Sequence, residues 1–386
     1  MNGNKSHGME KIDRYYEDYG ARARELKGQG ERVMIYLCSF VPVEMLTAAG
    51  FIPFRIRGSV HEPITKGDTQ LETIACPFMR SCFDLSLKGH YDFADGVIIP
   101  HACDSITRSY SVWRYSLGLP YSHFINLPHT ARGPSMTFFK NELTTLRKSL
   151  ERFTGKEITD EALAEAIEAY NANRDKAKGL YELRKSDPPL VSGTEILKIL
   201  TVGMSLPVEE ANELFDEVLN ELEQRTEPSR RKEPRILVEG ACVDNIDFIK
   251  LIEDSGANVV ADSLCIGTRD YWPHAETGVD PIESLAHRYL DKINCPRTYR
   301  EKKGDSYEDD LEARFGDVGS LVKEFSVDGV IMYLYKYCDP FGFEAPAREM
   351  YLDNLGVPSL YLEDEYSIGT IGRMRTRIQA FLEMMS

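Results

Sequence analysis

The sequence predicts an α/β protein of two similar, doubly wound halves with a helical layer between them. Short apolar segments alternate with helical patterns before residue 135 and again after residue 228, which is typical of parallel sheets covered by helices. In between, the apolar residues recur at steps of three and four, which indicates helices alone. We therefore predict an N-terminal domain at 1–135, a helical segment and linker at 136–228, and a C-terminal domain at 229–386.

The N-terminal half begins with a charged amphipathic pattern and continues as alternating strands and helices. Val41-Pro42-Val43-Glu44 favours the start of a helix, and Gly50 favours its end. Predicted helices cover residues 10–28, 42–49, 81–89 and 105–117. Predicted strands cover residues 33–38, 51–56, 95–99 and 121–127.

Separate patterns predict the secondary structure of the middle segment and of the second half. Ala211, Leu214, Phe215 and Val218 have helical spacing, and Ser192-Gly193-Thr194-Glu195 has the form of a capping box. We expect this helical layer to be structural, and the charged stretch at 226–234 to be a linker. The strand–helix order then returns, with strands at 235–240, 257–262, 327–334 and 358–362 and a helix at 244–254.

One set of cysteine motifs occurs in both halves: a strand ending in cysteine, a Cys-x3-Arg segment, and a strand that runs into Cys-Asp. The first set consists of Cys38, Cys76 with Arg80, and Cys103 with Asp104; the second consists of Cys242, Cys265 with Arg269, and Cys338 with Asp339. Open parallel sheets bind ligands beyond the carboxyl ends of their strands. We therefore predict that a pseudo-twofold brings these cysteines to a cleft between the halves, where they hold a metal group, an iron–sulfur cluster being favoured.

The other cysteines and the histidines have simpler interpretations. Cys82 and Cys295 are expected to be packed thiols, because free cysteine is among the most buried residue types. His101, His123 and His129 are expected to be hydrogen-bonded scaffold residues. No Cys-x2-Cys ribbon and no H-E-x-x-H motif is present, which disfavours a zinc site.

Composition excludes several classes of function. A formal net charge of −16, with no basic run interleaved with aromatics, disfavours nucleic acid as a partner. Arg55, Arg57, Arg80 and Arg108 near the cysteine motifs leave an anionic substrate open. No segment approaches the roughly 20 apolar residues of a membrane span, and no signal-peptide pattern is present, so we expect a cytoplasmic protein. Neither G-x-G-x-x-G nor a P-loop occurs, so any ATP would be bound by another chain.

Several segments resemble the family of 2-hydroxyacyl-CoA dehydratase and benzoyl-CoA reductase subunits. They extend from Tyr36 to Arg55, Ala75 to Arg80, Ala94 to Asp104, Asp328 to Asp339 and Arg373 to Glu383, so the resemblance covers nearly the whole chain. Within the family, the segment from Pro120 to His129 is more similar to a small subunit of the benzoyl-CoA reductase type.

The resemblance implies two flavodoxin-like domains and a [4Fe–4S] cluster on Cys76, Cys103 and Cys338. Three thiolates would leave one iron open to an acyl-CoA substrate. It also implies two protein partners: an ATP-hydrolysing iron–sulfur activator that delivers a low-potential electron, and a sister subunit or second copy of the chain. Ser39 and Glu44, near the end of the first strand, become candidate catalytic residues, with a helix N-terminal role as the alternative.

Three alternatives stay open. Double-cubane proteins resemble the same subunits and carry an [8Fe–9S] cluster on six cysteines, a number that Cys38, Cys76, Cys103, Cys242, Cys265 and Cys338 supply. The chain could instead be a non-catalytic electron-transfer subunit, or a metal-free, two-lobed binding protein.

Overall fold

Two four-stranded parallel sheets form the framework of the computed structural model, which describes residues 7–225, 228, 231–302 and 304–385. The first sheet contains β1 (Val33–Tyr36), β2 (Ile52–Arg55), β3 (Gly96–Pro100) and β4 (Tyr121–Ile125); the second contains β5 (Arg235–Gly240), β6 (Asn258–Ser263), β7 (Gly329–Tyr335) and β8 (Ser359–Asp364). The strand orders are β2-β1-β3-β4 and β6-β5-β7-β8, the same in both halves. The predicted strands and the fold class, two flavodoxin-like α/β domains, are confirmed.

Helices cover both sheets and fill the segment between them. They are α1 (His7–Glu17), α2 (Ala21–Gly28), α3 (Val43–Ala48), α4 (Pro77–Leu87), α5 (Asp104–Leu117), α6 (Gly133–Thr154), α7 (Asp160–Glu182), α8 (Gly193–Gly203), α9 (Val208–Glu223), α10 (Ile246–Asp254), α11 (Thr268–Tyr271), α12 (Pro281–Ala286), α13 (Tyr307–Glu324), α14 (Asp339–Asn354) and α15 (Ile371–Met384). A π-helical turn, His287–Lys292, follows α12. None of these helices is long and apolar enough to cross a membrane.

Two predicted helices differ from the observed ones at their ends. The pattern over 10–28 forms two helices, because the chain turns before Gly20, the residue that precedes α2 and that costs a continuous helix more than any ordinary residue except proline. The helix predicted at 81–89 starts earlier, at Pro77, whose fixed φ suits the first helical position. The Ser192–Glu195 capping box is confirmed at the start of α8. Part of the predicted linker at 226–234 lies outside the described residues.

The helical layer contacts both halves. α7 packs against α3 of the first half and α11 of the second, and α8 packs against both α1 and α10. The central strands β1, β3, β5 and β7 are buried along their whole length, as parallel strands covered on both faces should be.

Buried apolar side chains do not divide at the predicted domain boundaries. One continuous cluster contains residues of both sheets, including Ile35 and Val97 of the first and Val238 of the second. On its other face, the first sheet packs against α6 and also against α12 and Tyr289 from the C-terminal half. The second half therefore completes the core of the first, which holds the carboxyl edges of the two sheets together.

Candidate metal centre

A cavity lies where the carboxyl ends of β1, β3, β5 and β7 meet. It encloses about 750 Å³ between protein atoms, including its opening to solvent. Seven of the eight cysteines line it, and they are Cys38, Cys76, Cys103, Cys242, Cys265, Cys295 and Cys338. The six cysteines singled out from the sequence are thus brought to one wall, together with Cys295. Cys82 is fully buried elsewhere in the core.

Three of these cysteines each stand immediately before a helix. Cys76 precedes α4, Cys103 precedes α5 and Cys338 precedes α14. The unpaired amide groups and the macrodipole at a helix N-terminus favour negative charge, and so favour a thiolate over a thiol. The fold therefore directs three helix N-termini at one cavity, which suits anionic sulfur ligands.

Burial acts against ionisation of these thiols as long as no cation is present. It raises the pKa of Cys103 to about 12 and that of Cys338 well above its ordinary value, although backbone amides at the start of the following helices oppose the shift. Burial raises the pKa of Cys76 in the same way, against the amides of Met79 and Phe78. Metal binding would therefore release protons, since a bound metal deprotonates its thiols.

The other four cysteines occupy irregular backbone instead of helix N-termini. Cys38 has φ of 73°, a left-handed conformation that is uncommon outside glycine. Such strained positions concentrate at functional sites, where surrounding structure holds them. Cys242 and Cys265 follow β5 and β6, and Cys295 follows the π-helical turn. Burial raises the pKa of Cys38, Cys242 and Cys295.

Two buried arginines adjoin the cavity and form no ion pair with a carboxylate within the described ranges. Arg269 Nη1 lies 3.3 Å from Cys265 Sγ, and its other contacts include the carbonyls of Gly240 and Ser263. Arg297 donates to the carbonyls of Ala102, Leu127 and Pro128. A buried charge is costly without a counter-charge. An anionic group in the cavity would supply it.

The pKa of Arg269 shows the influence of the neighbouring cysteines. Burial alone would lower it, but Cys265 and Cys295 raise it above the ordinary value of a guanidinium. A third arginine, Arg55, lines the cavity and lies 3.7 Å from Asp270. The side chains that line the cavity are thus apolar apart from sulfur, guanidinium groups and the hydroxyls of Ser105 and Tyr335.

The donor set fits a multi-iron cluster better than a single ion. Over the described part of the chain, no three His, Cys, Asp or Glu side chains lie close enough together to hold one metal ion. Seven cysteines nevertheless line the cavity. A cluster would bond its thiolates to separate iron atoms, so it would not require three of them to meet at one ion.

The two candidate catalytic residues do not line the cavity. Ser39 is buried behind it, and its hydroxyl donates to the carbonyl of Cys265 at 2.8 Å. Glu44 lies in the first turn of α3 and is 0% exposed. It accepts from Arg174 Nη2 at 2.5 Å and from the Tyr289 hydroxyl at 2.7 Å.

The charge state of Glu44 follows from these partners. Burial would raise its pKa, but Arg174 and Arg288 together hold the pKa below the ordinary value. Glu44 is therefore a fixed carboxylate that joins the helical layer to the second half. The geometry gives Ser39 and Glu44 supporting positions, and a catalytic role for either stays a prediction.

The three histidines lie outside the cavity lining, whereas Cys295 is part of it. His101 stacks edge-on against His129 at 5.2 Å between ring centroids, and neither ring lines the cavity, nor does that of His123. Cys295 does line it, although its sequence context predicts a packed thiol. The signal available in the sequence is the dipeptide Cys295-Pro296, which matches Cys76-Pro77.

The comparisons with known proteins cover the whole site. The sequence model of the family described as 2-hydroxyglutaryl-CoA dehydratase, D-component, matches residues 38–385. A benzoyl-CoA reductase subunit of Thauera aromatica is 29% identical over 339 residues, 86% of each chain. The (R)-phenyllactyl-CoA dehydratase beta subunit of Clostridium sporogenes is 24% identical over 366 residues, 94% of each chain. The putative dehydratase subunit YjiM of Escherichia coli (strain K12) is 28% identical over 373 residues, 94% of this chain and 93% of that one.

Proposed function

The chain belongs to the 2-hydroxyglutaryl-CoA dehydratase D-component family, and on that premise we propose that it is the iron–sulfur subunit of an acyl-CoA reductase, similar to benzoyl-CoA reductase, or of a 2-hydroxyacyl-CoA dehydratase. Cys76, Cys103 and Cys338 would hold a [4Fe–4S] cluster, which when bound supplies a low-potential electron to a CoA thioester. The observation that carries the proposal is the meeting of these three helix-capping cysteines at one cavity.

The residues of this chain prepare the cavity for such a group. The N-termini of α4, α5 and α14 would stabilise three thiolates, and Arg297 would offset negative charge at Cys103. Arg269 would do the same at Cys265. Phe78, Ile106 and Phe341 keep the wall apolar and restrict water. A low dielectric strengthens each of these interactions.

The proposal includes two protein partners. The relatives are named as subunits, which favours a sister subunit or a second copy of this chain. The sequence holds no phosphate-binding loop, so an ATP-hydrolysing iron–sulfur activator would deliver the electron. Its docking surface would lie near Cys76 and Cys338, where the exposed side chains of Ile74, Tyr337 and Phe343 occur.

A double-cubane [8Fe–9S] cluster is the second candidate, and a specific observation favours it. Cys38, Cys242 and Cys265 line the same cavity as the three helix-capping cysteines. Six thiolates on one wall are more than a single cubane with an open iron requires. The chain would then act as a small-molecule reductase, paired with a copy of itself.

Iron and sulfide content of the anaerobically purified chain tests both candidates. About 4 iron atoms per chain support the single cubane, and about 8 support the double cubane. A chain without iron would contradict both. Binding of an acyl-CoA to the isolated chain then separates a catalytic subunit from one that only transfers electrons. The chain alone should neither hydrolyse ATP nor reduce an acyl-CoA with a mild donor.

A further inference from the structure

A second pocket lies directly beside the cysteine cavity, and arginines dominate its wall. We call it the arginine pocket, after Arg269, Arg297, Arg300, Arg314 and Arg348. Three carboxylates also line it, so the wall has an excess of positive charge. Cys295 and Arg297 line both spaces, which makes this short segment the partition between them.

Most of the positive charge is not neutralised locally. Arg314 is paired, since it contacts both Glu344 and Asp310. Arg300 is held by the Asn294 side chain and the carbonyl of Ile293. Like Arg269 and Arg297, it makes no ion pair with a carboxylate among the residues that the structure describes. Three guanidinium groups that line the pocket therefore have no carboxylate partner within the described residues, and of these Arg300 is the one without a contact to the cysteine cavity.

An unpartnered buried donor gives independent support. Arg348 is 3% exposed, and its Nη1 has no hydrogen-bond partner among the residues that the structure describes, although its Nε lies 2.8 Å from Glu239 Oε1. A buried donor left without an acceptor costs free energy, which a bound acceptor would recover. The lining residues Glu239 and Asp317 likewise each have one buried carboxyl oxygen without a hydrogen-bond partner in the described part of the chain.

The unpartnered carboxyl oxygen of Glu239 is compatible with an anionic ligand. Burial raises the pKa of Glu239 to about 7, while Arg348 opposes the shift. A protonated carboxyl group donates a hydrogen bond and carries no charge. Near neutral pH a protonated Glu239 would therefore add no negative charge to the wall of the pocket.

We infer that the arginine pocket binds the oxyanion group, carboxylate or phosphate, of a small molecule beside the cysteine cavity. Guanidinium groups match planar carboxylates and phosphates in geometry as well as charge. That the ligand is a substrate of the neighbouring cavity rests on the proposed function, whereas the binding itself does not.

Calorimetric titration of the full chain at low ionic strength tests the inference. The probes are inorganic phosphate, malonate and free coenzyme A, with choline as the cationic control. We expect at least one of the three anions to bind at millimolar concentration or below, and choline not to bind. Binding of phosphate or malonate identifies a small free anion, whereas binding of coenzyme A alone identifies the phosphates of a larger ligand.

Variants locate the binding site. Arg348→Gln and Arg300→Gln should each weaken binding by roughly tenfold, the loss expected for one charge-assisted contact. Arg373→Gln, on the exposed face of α15, is the matched control and should leave binding unchanged. Arg300 is only half-buried, so its variant should fold even where Arg348→Gln does not, as circular dichroism would show.

The outcomes that overturn the inference are separate from those that overturn the proposed function. Absence of binding by all three anions, or weakening by Arg373→Gln equal to that by Arg300→Gln, would overturn the arginine pocket. An iron-free chain that still binds an anion through Arg300 would leave the pocket in place and contradict the iron–sulfur function.

Discussion

The two halves place their cysteines at the same distance from a strand end, although their strands differ in length. Cys38 stands two residues after β1 and Cys242 two residues after β5; Cys103 stands three residues after β3 and Cys338 three after β7. Yet β5 and β7 have 6 and 7 residues, against 4 and 5 in β1 and β3. Position relative to the carboxyl edge is therefore what the halves share, because that edge faces the cavity.

The Cys-x3-Arg segments show where the halves differ. Cys76 precedes the 11-residue helix α4, and Arg80 turns away to contact Asp68 at 2.5 Å. Cys265 precedes a helix of only 4 residues, and Arg269 turns inward to lie 3.3 Å from its sulfur. In the first half the cysteine of this motif therefore lies at a helix N-terminus, whereas in the second half it lies beside a guanidinium group.

The largest expected effect comes from the paired strand-end cysteines. Cys103→Ala and Cys338→Ala should each abolish binding of a [4Fe–4S] cluster, because each removes one of three proposed ligands. Cys82→Ala, at a buried cysteine away from the cavity, is the matched control and should keep its iron. Iron content per chain after anaerobic purification is the measurement.

Replacement of Cys242 distinguishes a double cubane from a single cubane. A double cubane predicts that Cys242→Ala lowers the iron content and changes the visible spectrum. A single cubane on Cys76, Cys103 and Cys338 predicts no change in either. Full iron content in Cys338→Ala would contradict both forms of the proposal.

Two buried acids, Glu44 and Asp244, give the next largest effect, since each contacts the other half of the molecule. Glu44 contacts Arg288 and Tyr289, whereas Asp244 accepts from the Gly58 amide at 2.9 Å. Glu44→Gln should lower the free energy of unfolding by about 3–5 kcal/mol, because it leaves Arg174 buried without its counter-charge, whereas Arg288 keeps Asp270. Urea unfolding measures the change.

Asp244→Asn is the comparison variant. Burial raises the pKa of Asp244 to about 6, and no arginine contacts this carboxyl directly among the residues that the structure describes. Its replacement by a neutral amide should cost only about 1 kcal/mol, the value of a hydrogen bond. An equal loss of unfolding free energy in both variants would show that the charge of Glu44 does not account for its contribution to stability.

The third prediction concerns strand residues that correspond by register, Leu37 beyond β1 and Glu239 within β5. Met34 of β1 pairs with Gly96 of β3, and Ile236 of β5 pairs with Gly329 of β7, so Met34 and Ile236 occupy equivalent positions. Three residues further along each chain segment, Leu37 is equivalent to Glu239. Burial raises the pKa of Glu239 from 4.5 to about 7, against Arg348 and Arg269 and with Asp317 and Glu344 adding to the rise. Protonation of this group therefore favours the folded state.

A raised folded-state pKa fixes the sign of the pH dependence. The contribution of Glu239 to stability is complete below about pH 4.5 and is lost as the pH rises towards 7. Relative to Glu239→Gln, the wild type should lose about 3 kcal/mol of unfolding free energy across that range. Urea unfolding from pH 4.5 to 8 measures it, and Leu37→Val, at the uncharged counterpart, should show the wild-type pH dependence. Parallel curves for wild type and Glu239→Gln would contradict the prediction.

The smallest effect comes from the two arginines of the Cys-x3-Arg segments. Arg269→Gln removes a buried positive charge beside Cys265, so a cluster in the cavity should accept an electron less readily. Its reduction potential should fall by about 60 mV, equivalent to about 1.4 kcal/mol for one electron. Arg80→Gln should change the potential less, because Asp68 neutralises most of the charge that Arg80 exerts on Cys76. Redox titration of both variants checks the difference, and a shift in Arg80→Gln as large as that in Arg269→Gln would remove the distinction.

The sequence by itself determined the strands, most of the helices and the cysteines that follow the strand ends. A parallel strand covered on both faces must be apolar along its length, so β1, β3, β5 and β7 are visible as short apolar runs. The capping box at Ser192 is likewise local, because both of its hydrogen bonds join residues three apart. Strand ends then locate Cys103 and Cys338 without any knowledge of packing.

Only the tertiary structure decided which groups meet around the cavity. Cys295 follows a π-helical turn, and its place depends on Arg297, which donates to carbonyls 195 and 170 residues away in the first half. Glu44 has a helix-start pattern, yet its partners Arg174 and Tyr289 lie 130 and 245 residues further along the chain. Local patterns specify backbone conformation and the buried face, whereas these contacts depend on how the two sheets and the helical layer pack, and short-range sequence periodicity carries no record of that packing.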